Sequence, residues 1–324
     1  MKRVNLRRAL IVAGLMPLVV VYVLLWSRML SSHEERTGSD FISAYTAGRV
    51  TDLWGGAHVY DLARQQAVQA EVVGFDLAPG QVLMFNHPPY LVPLLAVLMD
   101  GDYVASLVRY ALLMTLLYGA SLLITWHLLK RDGWPKNDAP WRWQGWQLFP
   151  LFVNLLNTQD TAFMVVGALL VLLGLLTDRD WLAGLGLALT SVRPHVTLVM
   201  TLPFLFRRQK VFFWFVLFAA GLAAIAWMAV GWQGSQAYLQ ILLTAAGGTF
   251  YGLQEVAMVN LVGWLTRHAP ALPVTVNRVI GWAAYLASLL ALCLIWRRSR
   301  YVDERHWGWT VLMAVFFVHY LHIQ

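Results

Sequence analysis

The chain has 324 residues, of which 59% are apolar and 13% are charged, and its formal net charge is +7. Soluble domains average about 45–50% apolar and about 25% charged residues, so this composition excludes an ordinary soluble protein. Several apolar runs approach the roughly 20 residues that span a bilayer, whereas the alternating strands of about ten residues typical of a transmembrane barrel do not appear. The sequence therefore predicts an all-α polytopic membrane protein.

The first predicted span covers residues 9–30. Four basic residues precede it within "MKRVNLRR", which places the amino terminus in the cytoplasm. The run is longer than the apolar region of a signal peptide and lacks a clear cleavage site, so we expect it to be retained. Residues 31–83 then form a long acidic loop on the extracytoplasmic side. Within this loop, apolar residues at helical spacing over 41–72 predict a helix lying along the membrane surface.

The next apolar run, residues 84–99, is too short for a full crossing. At 1.5 Å per residue it reaches about 24 Å, against a hydrocarbon core of roughly 30 Å. Pro88 and Pro89 shorten its helical part further. If the run is re-entrant, the basic clusters around Lys130 and Arg208 both lie in the cytoplasm, as basic loops should. We therefore predict a re-entrant segment.

The remaining spans follow from that choice, with a second extracytoplasmic loop at about 232–276. The short spans are typical of broken or tilted helices that line a cavity. The prediction is a single domain over 1–324, containing the loop 31–83, with about nine spans. They are 9–30, 104–128, 145–157, 161–177, 181–192, 194–206, 211–231, 277–296 and 307–322.

This topology brings unusual polar residues to the outer ends of several spans. Ionisable groups at membrane depth are costly and usually face a cavity or a partner, so their convergence predicts one site. Nucleotide-binding motifs are absent from the sequence, and no metal-ligand set and no nucleic-acid partner is expected. The single Cys293 excludes an intramolecular disulfide. The candidate site residues are Asp40, His87, Asn157, Gln159, Asp160, Arg193, His195, Glu255, Asn260, His319 and His322.

Each candidate also has a structural alternative. Asp40, Asn157 and Asp160 could cap helices, because aspartate and asparagine are favoured N-caps. His87 could be a turn residue before Pro-Pro, and Arg193 could merely neutralise Asp160. The other candidates could be packed histidines, interfacial histidines or loop residues: His195, Glu255, Asn260, His319 and His322.

The order of several segments resembles glycosyltransferase family 87, whose members have the C-type glycosyltransferase fold. The matching segments are "SDFISAYTAGRV", "GGAHVYD", "FNHPPYLVPLLAVL", "NTQDTAFMVVGALLVLLGLL" and "AGLGLALTSVRPHVTLVMTLPFLFRR". The chain departs from the family in having His87 for a usual tyrosine, Thr158 for a common glycine, and Arg193 for a lysine. Family members continue beyond the position of Gln324, so we expect a domain truncated at its carboxyl end.

The resemblance implies transfer of a mannose-like hexose from a polyprenyl-phosphate sugar to a hydroxyl of a lipid or glycan acceptor. It places this reaction at the extracytoplasmic face of the plasma (inner) membrane, where the acidic residue of the first loop, here Asp40, is the catalytic base. Direct displacement with one base implies inversion, and no cofactor is expected beyond the donor substrate. Two other interpretations remain open: a membrane transporter of a lipid-linked or small polar solute, and a non-catalytic scaffold.

Overall fold

The computed structural model describes residues 2–78, 81–131, 155, 159–246, 258, 260–299 and 303–317. This part of the chain consists of helices and their connections, with no strand. Short 3-10 turns follow Gly55, Pro88 and Thr201. The helices are α1 (Lys2–Ser31), α2 (His33–Thr37), α3 (Phe41–Trp54), α4 (Leu62–Val73), α5 (Val92–Leu98), α6 (Tyr103–Arg131), α7 (Thr161–Leu176), α8 (Asp180–Thr190), α9 (Pro194–Thr201), α10 (Gln209–Ala246), α11 (Leu261–His268), α12 (Val274–Arg298) and α13 (Glu304–Phe317).

Three of these helices are long and apolar enough to cross a membrane, namely α6, most of α10 and α12. Helix α1 covers the predicted first span, and α7, α8 and α9 match the three short predicted spans that follow residue 160. The predicted span 145–157 lies outside the described residues except for position 155, and the last five residues of 307–322 also lie outside them. The helical class and the presence of membrane-length helices thus agree with the prediction.

The prediction of one continuous helix over 41–72 is wrong. The segment forms two helices, α3 and α4, because Gly55 adopts a positive φ of 89° that ends α3. Helix α3 is also packed against other parts of the protein, since Phe41, Ala47 and Val50 are completely buried. Apolar spacing identified the helical segments, but it could not show that the small and polar residues of α3 are buried too.

The loop predicted at 232–276 is likewise partly helical. Helix α10 runs to Ala246 through a kink at Gly231, whose φ of 64° interrupts the helical backbone. A further helix, α11, begins after Asn260. The predicted span end at residue 231 coincides with this break, beyond which a second helical segment continues to Ala246.

The segment 84–99 contains only a 3-10 turn and the seven-residue helix α5. Seven residues of helix rise about 10 Å, which is far less than a bilayer core. Residues 83–88 before the turn are not helical, and Pro88 is extended. As a helix, this segment is too short to cross the membrane, as the re-entrant prediction requires.

Helices α7 and α8 pack backbone against backbone through small residues. A Cβ atom added to Gly167 would lie 2.6 Å from the Gly186 carbonyl oxygen, and one added to Gly174 would lie 2.5 Å from the Ala183 backbone nitrogen. Small residues at such contacts allow membrane helices to approach closely. Because α7, α8 and α9 follow one another through tight turns, this packing aligns the start of α7 with the turn between α8 and α9.

Candidate active site

A cavity at that aligned end is lined by five of the residues predicted from the sequence. They are Asp40, His87, Gln159, Asp160 and Arg193. They come from the start of α3, the segment before α5, the start of α7 and the turn before α9. The cavity has about 450 Å³ of empty space including its mouth. Residues far apart in sequence thus form one polar site.

Asp160 is the centre of this site. Its side chain is only 4% exposed, yet it contacts the Arg193 guanidinium and the His87 imidazole. Arg193 Nη2 donates to Asp160 Oδ1 at 3.0 Å, and His87 Nδ1 lies 2.6 Å from Asp160 Oδ2. Burial alone would raise the pKa of Asp160, but the charges of Arg193 and His87 outweigh it and hold that pKa well below its ordinary value. Asp160 is therefore an ionised group that holds both Arg193 and His87.

The local backbone explains how Asp160 and Arg193 are presented. Asp160 precedes α7 without a capping hydrogen bond from its side chain, so its carboxylate is available to the cations. Arg193 precedes Pro194, which is well suited to the first position of a helix. The Arg193 backbone nitrogen donates to Thr190 O, closing the turn between α8 and α9. The alternative that Asp160 serves only as a cap is wrong, whereas the expected Arg193–Asp160 pairing is present.

His87 is positioned by two buried glutamines that the sequence analysis did not identify. Gln65 and Gln69, one turn apart on α4, are almost completely buried. Gln69 exchanges two hydrogen bonds with the backbone of Leu83, and Gln65 accepts one from the Phe85 nitrogen. These side-chain amides bind the backbone of Leu83 and Phe85 as a neighbouring β-strand would. They therefore fix the chain just before His87. The signal in the sequence is two glutamines four residues apart, on one face of a helix that also buries Val68.

The backbone of His87 is held as well. The Tyr60 hydroxyl donates to the His87 carbonyl oxygen at 2.7 Å, and the Phe85 and His87 rings lie 5.2 Å apart. The residues 59–85 around α4 therefore position the imidazole that contacts Asp160. The alternative in which His87 is only a turn residue does not account for this contact with Asp160.

Asp40 faces the same cavity from the start of α3. Its side chain makes no capping hydrogen bond, and Asp40 Oδ2 instead accepts a hydrogen bond from Gln159 Nε2 at 2.9 Å. Burial raises the pKa of Asp40, Arg193 and His87 act against this, and Asp160 adds to it, with a net increase. The capping alternative for Asp40 is wrong, and its carboxylate has the raised basicity that suits a base.

The other candidates do not line this cavity or lie outside the described residues. His195 follows Pro194 on α9, where its backbone oxygen accepts from the Tyr285 hydroxyl. Asn260 is buried and caps α11 by accepting from the Gly263 nitrogen. Four candidates lie outside the described residues: Asn157, Glu255, His319 and His322. Among the residues that the structure describes, no group of three potential metal ligands is present.

A second cavity lies on another side of α3, with about 590 Å³ of empty space. Its lining includes Arg36 and Arg49, which already have local partners. Arg36 Nη1 donates to Leu30 O at 2.6 Å, and Arg49 contacts Asp52. None of the predicted site residues lines it.

A serine, a histidine and an aspartate are also hydrogen-bonded in series between α12 and α13. His306 Nε2 lies 2.6 Å from Ser299 Oγ, and His306 Nδ1 lies 2.6 Å from Asp303 Oδ1. Asp303 Oδ1 also accepts from the backbone nitrogens of Arg305 and His306, while Ser299 Oγ donates to Ile295 O. These bonds cap the facing ends of two helices, which accounts for the arrangement.

Membrane-length helices together with a buried ionic cluster in a cavity define a polytopic membrane protein with a candidate active site. A family model, described as glycosyltransferase family 87, matches residues 85–321, which is most of the chain. The chain belongs to this family and is a membrane glycosyltransferase. A search of curated proteins found no match, and neither did a search of solved structures. The matched region contains four of the five predicted residues that line the cavity, and Asp40 precedes it.

Proposed function

We propose that this protein transfers a mannose-like hexose from a polyprenyl-phosphate sugar to a hydroxyl group of a lipid or glycan acceptor. The observation that carries the proposal is the cavity in which Asp40 lies with Arg193, His87 and Asp160. Such a transfer needs a base for the attacking hydroxyl and cations for the leaving phosphate. Both kinds of group line this one cavity.

Asp40 is the proposed general base. The acceptor hydroxyl gives its proton to the Asp40 carboxylate while its oxygen bonds to the anomeric carbon of the sugar. The bond from that carbon to the phosphate oxygen breaks, and its electron pair leaves with polyprenyl phosphate, whose charge becomes more negative by one. The attack and the departure take place on opposite faces of the sugar, so the anomeric configuration inverts.

Arg193 is the proposed partner of the phosphate. One of its guanidinium nitrogens donates to Asp160, and the side chain retains about a quarter of its exposure. The remaining N–H groups of the planar fork suit two phosphate oxygens. Asp160 therefore orients the guanidinium without occupying all of its donors. His87, bound to the other oxygen of Asp160, lies beside the same position.

The walls of the cavity suit a substrate held in a lipid. Apolar side chains surround the charged groups, among them Leu91, Leu94, Leu95 and Phe163. A polyprenyl chain needs apolar contacts, while its phosphate needs a cation. Side chains of both kinds line this cavity, which supports the proposed donor.

The distribution of basic residues supports an extracytoplasmic site. At the end of α7–α9 opposite the cavity, Arg207 donates to the carbonyl oxygens of Trp296 and Arg297, so the basic end of α12 lies beside Arg207 and Arg208. Basic clusters favour the cytoplasmic side of a membrane. The cavity then opens on the other side of the plasma (inner) membrane, and the amino terminus is cytoplasmic. The family membership favours this function over the transporter and the scaffold.

Asp40→Asn tests the proposal. The purified protein is reconstituted with radiolabelled polyprenyl-phosphate mannose and a lipid extract as acceptor, and labelled product is measured. We expect the variant to be monodisperse, to bind the donor and to transfer the sugar about 100- to 10,000-fold more slowly, because it has lost its general base. Asp52→Asn is the matched control, since it makes the same change at an exposed position of the same helix.

Two outcomes would contradict the proposal. Near-normal transfer by Asp40→Asn would remove Asp40 from the reaction. Uptake of labelled solute into vesicles, without transfer by the wild type, would favour the transporter.

A further inference from the structure

The hydrogen bond between Gln159 and Asp40 joins two regions that are 119 positions apart in sequence. Gln159 is buried and directly precedes Asp160, which holds Arg193 and His87. The dipeptide Gln159-Asp160 therefore contacts the proposed base through one residue and the proposed phosphate-binding cations through the next. This arrangement places Gln159 between the proposed base and the ionic cluster around Asp160.

The orientation of the Gln159 amide is consistent with its neighbours. The Thr161 hydroxyl donates to Gln159 Oε1 at 3.5 Å, at the long end of hydrogen-bond distances, which leaves Nε2 directed at Asp40. The amide nitrogen can only donate, so the carboxylate oxygen that faces it must act as an acceptor. Asp40 Oδ2 is therefore engaged, and Asp40 Oδ1 is the atom left for an incoming proton.

We propose that Gln159 is a positioning residue that fixes the rotamer of Asp40 and directs the acceptor proton to Asp40 Oδ1. This inference rests on the proposed function of Asp40. A proton on Oδ2 would make that oxygen a weaker acceptor for the Gln159 N–H group, whereas a proton on Oδ1 leaves that hydrogen bond intact. The acceptor hydroxyl consequently has to approach from the side of Oδ1, which restricts the geometry of attack.

The bond to Gln159 also affects the protonation of Asp40. A hydrogen bond donated to a carboxylate favours its charged form, so loss of the bond raises the pKa. The other groups that face Asp40 are Arg193, His87 and Asp160, and Tyr110 of α6 lines the same cavity. None of them is altered by a substitution at residue 159, so a change in the pH profile can be assigned to the lost bond.

The test uses the full chain in lipid nanodiscs, with radiolabelled polyprenyl-phosphate mannose and a lipid extract as acceptor. Gln159→Met keeps the length of the side chain and removes the donor. We expect kcat to fall about 10- to 100-fold, because small misplacements of a catalytic group have effects of this size. The KM for the donor should change less than about threefold, and the acidic limb of the kcat profile should move to higher pH.

Two further variants sharpen the test. Gln159→Glu places a second carboxylate beside Asp40, so the pair shares a proton and the acidic limb should move further in the same direction. Gln209→Met is the control, because this exposed glutamine donates to the Leu205 carbonyl oxygen, in the 3-10 turn that follows α9. It should leave kcat and the pH profile unchanged. If Gln159→Met is recovered poorly, Thr161→Val, which removes only the hydroxyl, should give a smaller shift of the same sign.

A readout without substrate separates this inference from the proposed function. A water-soluble carbodiimide modifies protonated carboxyl groups, and trypsin releases residues 37–49, in which Asp40 is the sole side-chain carboxylate. The pH midpoint of Asp40 modification should be higher in Gln159→Met than in the wild type. If the wild type is inactive but the midpoint of Asp40 modification still shifts in Gln159→Met, the proposed function is overturned. The effect of the Gln159 hydrogen bond on Asp40 is then supported all the same. Unchanged kcat and an unchanged midpoint, or a raised donor KM at constant kcat, would overturn the positioning role.

Discussion

The two ends of the α7–α9 group contain the same residue types in different surroundings. At one end, Arg193 pairs with Asp160, whose side chain is 4% exposed. At the other end, Arg208 pairs with Asp180 and with Asp178, whose side chain is 91% exposed. The first pair lines a cavity, and the second closes the turns between helices.

The ion pairs of Arg208 at the second end stabilise the turns between the helices. Asp178 and Arg208 both have positive φ values, of 53° and 60°, which are unfavourable for residues with a side chain. The Arg179 nitrogen donates to Gly174 O, so the end of α7 is satisfied by its own backbone. Arg208 holds these turns together. The comparison teaches that burial and the absence of a capping role, and not the residue types, distinguish a candidate site from a structural ion pair.

The largest expected effect in this comparison is on stability. Asp160→Asn should lower the free energy of unfolding by about 2–4 kcal/mol, because it removes the buried negative charge that pairs with the partly buried Arg193 and contacts His87. Asp178→Asn should change it by less than about 1 kcal/mol, as expected for an exposed pair. Unfolding by SDS titration of both purified variants would measure the difference. Equal effects at the two ends would show that burial does not distinguish them.

Arg193→Lys should have an effect of intermediate size, and this effect should be on the use of the sugar donor. Lysine keeps the charge beside Asp160 but not the planar fork, so we expect kcat/KM for the labelled donor to fall about tenfold, equivalent to about 1.4 kcal/mol. Arg208→Lys is the matched control and should leave kcat/KM unchanged. The proposed phosphate contact would be wrong if both variants used the donor equally well.

The smallest effect concerns the stability of Asp40→Asn. Because the pKa of Asp40 is raised by burial, folding favours its protonated form, and the ionised carboxylate destabilises the folded state. Below the unfolded pKa of about 3.9 both states are protonated, so the penalty is absent there and grows as the pH rises through and above that value. Asp40→Asn should thus be slightly more stable than the wild type at pH 7. The difference in thermal unfolding temperature should vanish below about pH 4, and a less stable variant at pH 7 would contradict this.

The sequence predicted the positions of the long helices better than it predicted where helices are interrupted. Runs of apolar residues identified α1, α6, α7 and α12, because membrane-length helices need continuous apolar segments. The same reasoning treated 41–72 as one surface helix and 232–276 as a loop. A glycine with positive φ interrupts the helical backbone within the first segment, at Gly55, and directly before the second, at Gly231.

The sequence also predicted the candidate site only in part. Polar residues at span ends indicated Asp40, His87, Gln159, Asp160 and Arg193, and the structure brings these five together. The sequence could not separate capping from a cavity role for the two aspartates, since both roles use the same residue at the same helix position. It also gave no partner for the buried glutamines of α4.

The sequence by itself determined the class of the protein, because composition and apolar run length follow directly from the requirement to bury a chain in lipid. It also determined which polar residues are unusual, since charge in an apolar segment is costly wherever the segment lies. Only the tertiary structure decided which of them meet. The Gln159–Asp40 bond and the Arg193–Asp160–His87 contacts depend on the close packing of α7 on α8 and on the placement of α3 and α4, which no local pattern specifies.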